Sequence, residues 1–471
     1  MKKIFITLMI LLQVNIMLAQ NDADVDLPFI NGIAPPGAGI TVNSVANQTD
    51  GKMFAGGFFT FANSTAINHL ARFNSNGTTD TSFNTGSGFS HEVKVVFVQP
   101  DGKILVGGDF NSFNGSAQNY LVRLNSDGTK DTTFNIGTGF NTSVYAITLQ
   151  SDGKILVGGN FTNFNGLTQS SLVRLNTNGT KDTTFSIGTG FDGMVMSLAI
   201  QPNGKIIVGG YFSNYNGVVQ NSLIRLNADG TKDTTFNVGT GFTPAASVGV
   251  KAISIQNDGK IVVGGDFTIY NGVQSRRIIR LNTDGTRDST YMIGTGFNAP
   301  VIAVLKQADG KMLVGGQFSD YNGNSPNNKI IRLNTDGTKD ATFNSLGGFN
   351  GTVVNSFAIN SSGNILVGGM YTTYRGNISH YITRLLGNTT LSNENFNTRL
   401  KFSLYPNPAS DILNIELDSD IRNIEVYSLQ GQLVMQSTMK SFSVNSLNQG
   451  VYLVKITDVN GVTSTQKFVK N

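Results

Sequence analysis

Between residues 26 and 388 the chain has a single glutamate, Glu92, and three histidines, His69, His91 and His380. Cleavage of a glycosidic bond needs two positioned carboxyl groups of separated acidity. Most aspartates here sit in recurring turn sequences, so His91-Glu92 is one of two places where an active centre would interrupt the pattern. The other is a four-residue insertion around Thr243 to Gly249, near Ala245. The histidines lack metal-ligand spacing, and nothing points to a Ser-His-Asp triad. The chain has no cysteine, which removes thiolate chemistry, disulfides and a lipid-bearing cysteine.

Other chemistry-bearing residues recur. Arginine stands at Arg72, Arg123, Arg174, Arg225, Arg280, Arg332 and Arg384, and eight residues after the first six come Asp80, Asp131, Asp182, Asp233, Asp288 and Asp340. An arginine packed between sheets needs a partner, so the spacing predicts structural ion pairs. A ring of arginines that binds an anion is the functional alternative. Arg384 has Ser392 at that spacing, and Asp26 is the expected substitute. The segment Asn227 to Asp233 places oxygens that would suit calcium, but it lacks the late bidentate glutamate, and an Asx or hairpin turn explains it. No other cofactor and no metal is expected. Aromatics at Phe113, Phe164, Tyr215, Tyr270, Tyr321 and Tyr374 precede variable loops. They are core residues or a platform for a glycan or protein ligand, and they are the candidate ligand-binding residues.

A repeat positions all of these. The motif DGKILVGG recurs with variation at Gly51, Gly102, Gly153, Gly204, Gly259, Gly310 and Gly363, spaced 51, 51, 51, 55, 51 and 53 residues apart. Each period holds four strand-like pieces, as in VYAITLQ, KILVGGNF, SLVRLN and DTTF from Val144 onward, separated by Asp-Gly or Asn-Gly turns. Such a period marks a propeller or solenoid. The double glycine, as at Gly107-Gly108, predicts a bulge or close backbone approach. A phosphate loop there would need a following helix. The last repeat stops after YITRLL, and DLPFING at 26–32 matches DTTFNIG at 131–137. The N-terminal strand should therefore complete the last blade and remove the open ends, with Pro28 tolerated on an outermost strand.

Composition sets the surroundings. Charged residues are 14% of the chain, against about a quarter in an average domain. The formal net charge is +4, with Lys2 and Lys3 supplying two, and no basic stripe makes nucleic acid a partner. Residues 1–19 read as a signal peptide: a charged start, an apolar run from Ile4 to Leu12, and Ala19 before cleavage. It is too short for a confident membrane span.

The blocks ILVGGDF, LVRLN and DGTKDTTFN resemble the delta-60 repeat family of bacterial β-propellers, and the Gly-Gly strand also looks kelch-like. That resemblance implies fold and little else. After the linker 389–399, residues 400–471 resemble the type A sorting domain of the type IX secretion system of Bacteroidetes. The matching positions are Tyr405, Pro406, Asn407, Pro408, Gly431, Gly450, Tyr452, Lys467 and Lys470. This resemblance implies contact with the secretion machinery, passage through the outer membrane, removal of the domain, and release or attachment to surface lipopolysaccharide. Asp-Thr-Thr at 131–133 resembles an O-glycosylation sequon, although a buried strand would hide it. The expected fold is all-β: a seven-bladed β-propeller over 26–388, of four-stranded blades closed by the N-terminal strand, then a small Ig-like β-sandwich. The expected role is an exported binding scaffold. A propeller-type polysaccharide hydrolase or lyase is the alternative.

Overall fold

The computed structural model describes residues 22–26, 29, 40–63, 65–243, 248–387, 402–417, 420–428, 432–459 and 463–471. The expected leader, the linker 389–399, Pro28, Ala245 and Gly431 lie outside them. The chain divides into two compact units, Met1–Thr389 and Thr390–Asn471.

Among the described residues the first unit is a succession of seven main three-stranded antiparallel sheets, with short hairpins beside them, one of which gains Phe242–Thr243 as a third strand. The second sheet is typical: Val93–Val98 pairs with Ile104–Gly108, which pairs with Leu121–Leu124. The middle strand is buried at every position, so it reads as a continuous apolar run. The loop between second and third strands forms its own short hairpin, Ser112–Phe113 with Ser116–Ala117. The DTTF segment adds only one bridge to the sheet, Lys130 opposite Leu124. It then turns, because the Asp131 carboxylate accepts hydrogen bonds from Thr133 N at 3.0 Å and Thr133 Oγ1 at 2.6 Å.

The double glycine serves two close approaches. A Cβ on Gly107 would lie 2.6 Å from Val144 Cγ1 of the next sheet, and one on Gly108 would lie 2.3 Å from Glu92 O. Opposite the pair, the first strand bulges: Val93 faces Gly108 and Val95 faces Gly107, leaving Lys94 unpaired. The same device recurs around the unit. A Cβ on Gly368 of the last sheet would meet Val42 of the first at 2.6 Å. Each first strand packs against the first strand of the next sheet, and Val353–Ile359 packs back against Thr41–Asn47.

The N-terminal segment joins the last sheet. Asp26 N donates to Arg384 O at 3.0 Å, Ala23 N to Leu386 O at 2.9 Å, and Leu386 N to Asp24 O at 2.8 Å. Ala23 and Phe29 are buried. The edge that the last repeat would leave open is thereby paired.

The second unit is a sandwich. One sheet holds Ser403–Tyr405, Ile412–Glu416 and Ser441–Ser443, and the other holds Leu433–Ser437, Ile421–Ser428, Gly450–Asp458 and Thr463–Lys470. Leu413, Ile424, Val426, Val454, Ile456 and Phe468 fill its core.

Candidate functional site

The arginines are brought to their aspartates in every sheet. Arg123 Nε lies 2.7 Å from Asp131 Oδ2, and Arg384 Nε lies 2.7 Å from Asp26 Oδ2. The pairs Arg72–Asp80, Arg174–Asp182, Arg225–Asp233, Arg280–Asp288 and Arg332–Asp340 span 2.6 to 2.8 Å. A third member was not read from the sequence: the lysine of DGK. Lys103 Nζ lies 2.8 Å from Asp131 Oδ2, and Lys52, Lys154, Lys205, Lys260 and Lys311 repeat the contact. Burial alone would raise the Asp131 carboxyl. The hydrogen bonds from Lys103 and Thr133, with Arg123, outweigh it and hold the group well below the usual carboxylate range. The guanidinium also stacks on Phe134 at 4.5 Å and donates through Nη1 to Thr177 O of the next sheet at 2.6 Å. Arg384 likewise donates to Ser75 O of the first sheet. These side chains staple neighbouring sheets, and their donors are used within the protein.

The aromatic platform needs correction. Phe113, Phe164, Tyr215, Tyr270, Tyr321 and Tyr374 are each 5% exposed or less. Each packs on a phenylalanine of the preceding connection, as Phe164 does on Phe140 with centroids 4.8 Å apart. The tyrosine hydroxyls bond inward, Tyr215 to Gly230 O at 2.8 Å and Tyr374 to Ala23 O at 2.8 Å. Burial pushes the Tyr215 hydroxyl up to about 12. What the hairpins expose lies beyond the rings, at Leu167, Val218, Val219, Val273 and Ile378. The turn oxygens are also occupied: Asp127 Oδ1 accepts from Thr129 N at 2.9 Å, an Asx turn. Thr132, expected to be hidden in a strand, is exposed because that segment turns away from the sheet.

The candidate site is the mouth of the ring, where first strands begin and second strands end. The bulges present Asn43, Lys94, Tyr145, Met196, Lys251, Ile302 and Asn355, all half-buried. A bulge frees one residue from the ladder and re-aims its side chain. The signal in the sequence is the residue after each inward valine, hidden because five different residue types fill the seven slots.

His91 and Glu92 lie at this mouth, as does Gly249, which ends the insertion whose residues 244–247 fall outside the described ones. At the junction of the first and second sheets, Glu92 bonds Lys94 and accepts from Asn43 Nδ2 at 2.6 Å, and Lys94 Nζ lies 3.4 Å from Asp109. Burial alone would make the Lys94 ammonium more acidic, but the Glu92 and Asp109 carboxylates outweigh it and raise its pKa above the usual value. His69, His91 and Phe58 form a ring patch, with centroids 5.5 Å apart for Phe58–His69 and 6.4 Å for His69–His91. Burial lowers the His69 imidazole below its usual value. At the junction of the fourth and fifth sheets, Tyr211 OH bonds Asp266, Gly249 N donates to Asp266 Oδ1 at 2.5 Å, and Lys251 Nζ lies 3.5 Å from the same carboxylate. His380 lies apart from both clusters, beside Tyr381.

In the sandwich, the sorting-motif residues clamp the last strand. Asn407 Nδ2 donates to Lys467 O at 3.2 Å, and Val469 N donates to Asn407 Oδ1 at 2.9 Å. Gly450 opposes Lys470, and Tyr452 stacks on Phe468 at 5.6 Å. Tyr405 is exposed, and Pro406 and Pro408 flank the clamp.

Two family models match. That described as a domain of unknown function (DUF5122) β-propeller matches residues 48–83, 99–134, 150–185, 201–236, 256–291 and 307–343. That for a secretion system C-terminal sorting domain matches 403–471. The six propeller segments contain the arginine, aspartate and lysine of each staple. His91, Glu92, Lys94 and Lys251 fall between segments, and the seventh sheet lies beyond them. Among curated proteins, β-agarase D of Zobellia galactanivorans is 38% identical over 71 residues, which is 15% of this chain and 15% of the agarase. Similar solved structures include the WD40 β-propeller domain of Doa1, with 13% identity, TM-score 0.48, and coverage of 77% of this chain and 99% of that one. An extracellular domain assigned to a hybrid two component system of B. thetaiotaomicron has 12% identity, TM-score 0.49, and coverage of 96% and 58%.

Proposed function

We propose that this exported β-propeller, built of DUF5122-type repeats and ending in a secretion-system sorting domain, is a binding scaffold whose ligand meets the mouth of the ring. The sorting domain sends the chain out by type IX secretion, to the cell surface or beyond it. Among the described residues no helix is long and apolar enough to cross a membrane. In this reading the ring is a seven-bladed propeller over 26–388, closed by the N-terminal segment, with the sorting domain removed after export.

One observation carries the binding reading. The two places where the repeat is interrupted are both ionic clusters at the mouth, and in both the carboxylates are already held by a lysine. A general acid and a general base need carboxyl groups poised apart in acidity. Glu92 and Asp109 share one ammonium, and Asp266 is tied to Tyr211, Gly249 and Lys251, so these groups suit recognition better than proton transfer. Half-exposed pairs of this kind add little stability, which leaves shaping the mouth as their use. The agarase likeness covers too little of that enzyme to bring its activity here.

The test is to display the mature chain to glycan and protein arrays and to assay the same glycans for cleavage products. Retention without turnover, weakened when Lys94 and Lys251 are both replaced by alanine, is expected. Product release that survives purification would favour the hydrolase or lyase.

A further inference from the structure

At the junction of the first and second sheets a cavity of about 310 Å³ opens beside the ring patch, lined by Asn68, His69, Ser87, Ser90 and Ser112 with backbone of the Gly88 turn. Its origin is visible in the repeat. At the other connections the residue after the phenylalanine is Asn141, Asp192, Thr243, Asn298 or Asn350, an amide or carboxylate in four of the five. Asn141 Oδ1 accepts Thr162 N at 3.0 Å and Asn163 N at 3.1 Å. Ser90 Oγ makes the same two bonds, from Asn111 N at 3.1 Å and Ser112 N at 3.0 Å, with a side chain two heavy atoms shorter. The backbone is held alike and the volume is left open.

Three features of this place point to one ligand chemistry. The lining is uncharged: amide, hydroxyl and imidazole side chains, with Phe89 and the glycines Gly88 and Gly115. His69, 7% exposed, lines the hollow, and its Nδ1 is itself buried and has no hydrogen-bond partner among the described residues. The same ring continues into Phe58, 39% exposed, and His91, also exposed, so an apolar ledge adjoins the polar hollow. A flat apolar face beside convergent hydroxyl and amide groups matches a pyranose ring, which has C–H faces and an equatorial belt of hydroxyls. The nearby charges are Glu92 and Asp109 against Lys94. The surplus is negative, which disfavours a uronate or a sulfated sugar.

We propose that this cavity binds an uncharged oligosaccharide, one residue in the hollow and its neighbour against Phe58 and His91. The proposal rests on the mouth being a binding surface and names its ligand class and subsite. The probes are neutral fragments of glucan, galactan, mannan and xylan, beside uronate and sulfated fragments, titrated calorimetrically into the mature full chain. Two variants test the subsite. Ser90→Asn restores the residue used in other sheets and fills the hollow. Phe58→Ala removes the ledge. At least one neutral fragment should bind, and each variant should weaken it about tenfold or more, with the melting temperature of Ser90→Asn unchanged. Binding that is indifferent to both variants but lost in Lys251→Ala overturns the subsite and leaves the scaffold reading standing. Preference for the anionic fragments overturns the ligand class. Failure of every glycan while a protein ligand is captured at the mouth also overturns it. Failure of both kinds of array overturns the scaffold reading with it.

Discussion

Replacing Asp26 by alanine tests whether the N-terminal segment closes the ring as one more repeat. Asp26 is buried, and its carboxylate meets Arg384 Nε at 2.7 Å and Asn364 Nδ2 at 3.4 Å. Asp131 has more: Arg123, Lys103, and two bonds from Thr133. At the position matching Thr133 the N-terminal segment has Pro28, which has neither an N–H nor a hydroxyl, and at the position matching Lys103 the last sheet has Asn364. Breaking a buried pair by removing one partner costs about 3–5 kcal/mol, because the other charge stays buried. Asp131→Ala belongs at the top of that range. Asp26→Ala belongs near about 3 kcal/mol, since fewer partners lose their acceptor and the Arg384 side chain is more exposed than that of Arg123, 11% against 7%.

At about 2 °C per kcal/mol for a large domain, the mature chain should lose about 6 °C with Asp26→Ala and about 10 °C with Asp131→Ala, read by calorimetry of the propeller transition. Asp26→Asn should fall between wild type and Asp26→Ala, because one acceptor remains. In a double-mutant cycle Asp26→Ala and Arg384→Met should cost less together than the sum of their separate effects. An Asp26→Ala protein that melts with wild type while Asp131→Ala does not would show that the N-terminal segment is no part of the ring.

Three further outcomes are expected. Gly368→Ala sets a Cβ 2.6 Å from Val42 Cγ1 across the first and last sheets. It should destabilise by about 1–3 kcal/mol in a denaturant melt, whereas Gly376→Ala, with open space around it, should show only the strain of its positive φ. The carboxyls of Asp80, Asp131, Asp182, Asp233, Asp288 and Asp340 are all held below the usual range. Their contribution is therefore complete above the unfolded value of about 3.9 and lost as pH falls further. Acid titration followed by circular dichroism should be flat from about pH 7 to 5 and steep below about pH 4. Deleting residues 400–471 should leave the chain in the periplasm, checked by fractionation and surface proteolysis.

The fold was legible because its devices repeat. Gly107-Gly108 announces a bulge, and the Arg123 to Asp131 spacing announces a pair, in a pattern no single copy could carry. The out-of-phase match of Asp26 to Asp131 foretold where the N-terminus pairs. The Lys103 contact was missed because 28 residues separate it from Asp131 in sequence, and only the antiparallel fold returns one to the other. The aromatic platform was misread because a Phe or Tyr before a variable loop looks the same whether it faces solvent or the connection behind it. Phe140, Phe191 and Phe297, one repeat element earlier, are what cover Phe164, Tyr215 and Tyr321.

Repetition also decides where recognition cannot sit. Had the seven arginines formed an anion site, their guanidinium groups would face a common space with donors free. Instead Nε is held by an aspartate, Nη1 of Arg72, Arg123, Arg174, Arg225, Arg280 and Arg384 by a carbonyl of the next sheet, and one face by an aromatic ring. A side chain held on three sides and buried between sheets is not free to turn toward a ligand without surrendering a bond that joins two sheets. The bulge positions are the reverse case. Backbone geometry fixes where Asn43, Lys94, Tyr145 and Lys251 stand, but nothing in the ladder depends on which side chain stands there. Substitution should therefore cost less at the mouth than at the staple, least where the bulge residue makes no bond to the next sheet of the kind that Asn43 makes to Val93 O and Asn355 to Val42 O. On the proposed reading, discrimination between ligands would be written in the slots that the repeat leaves free.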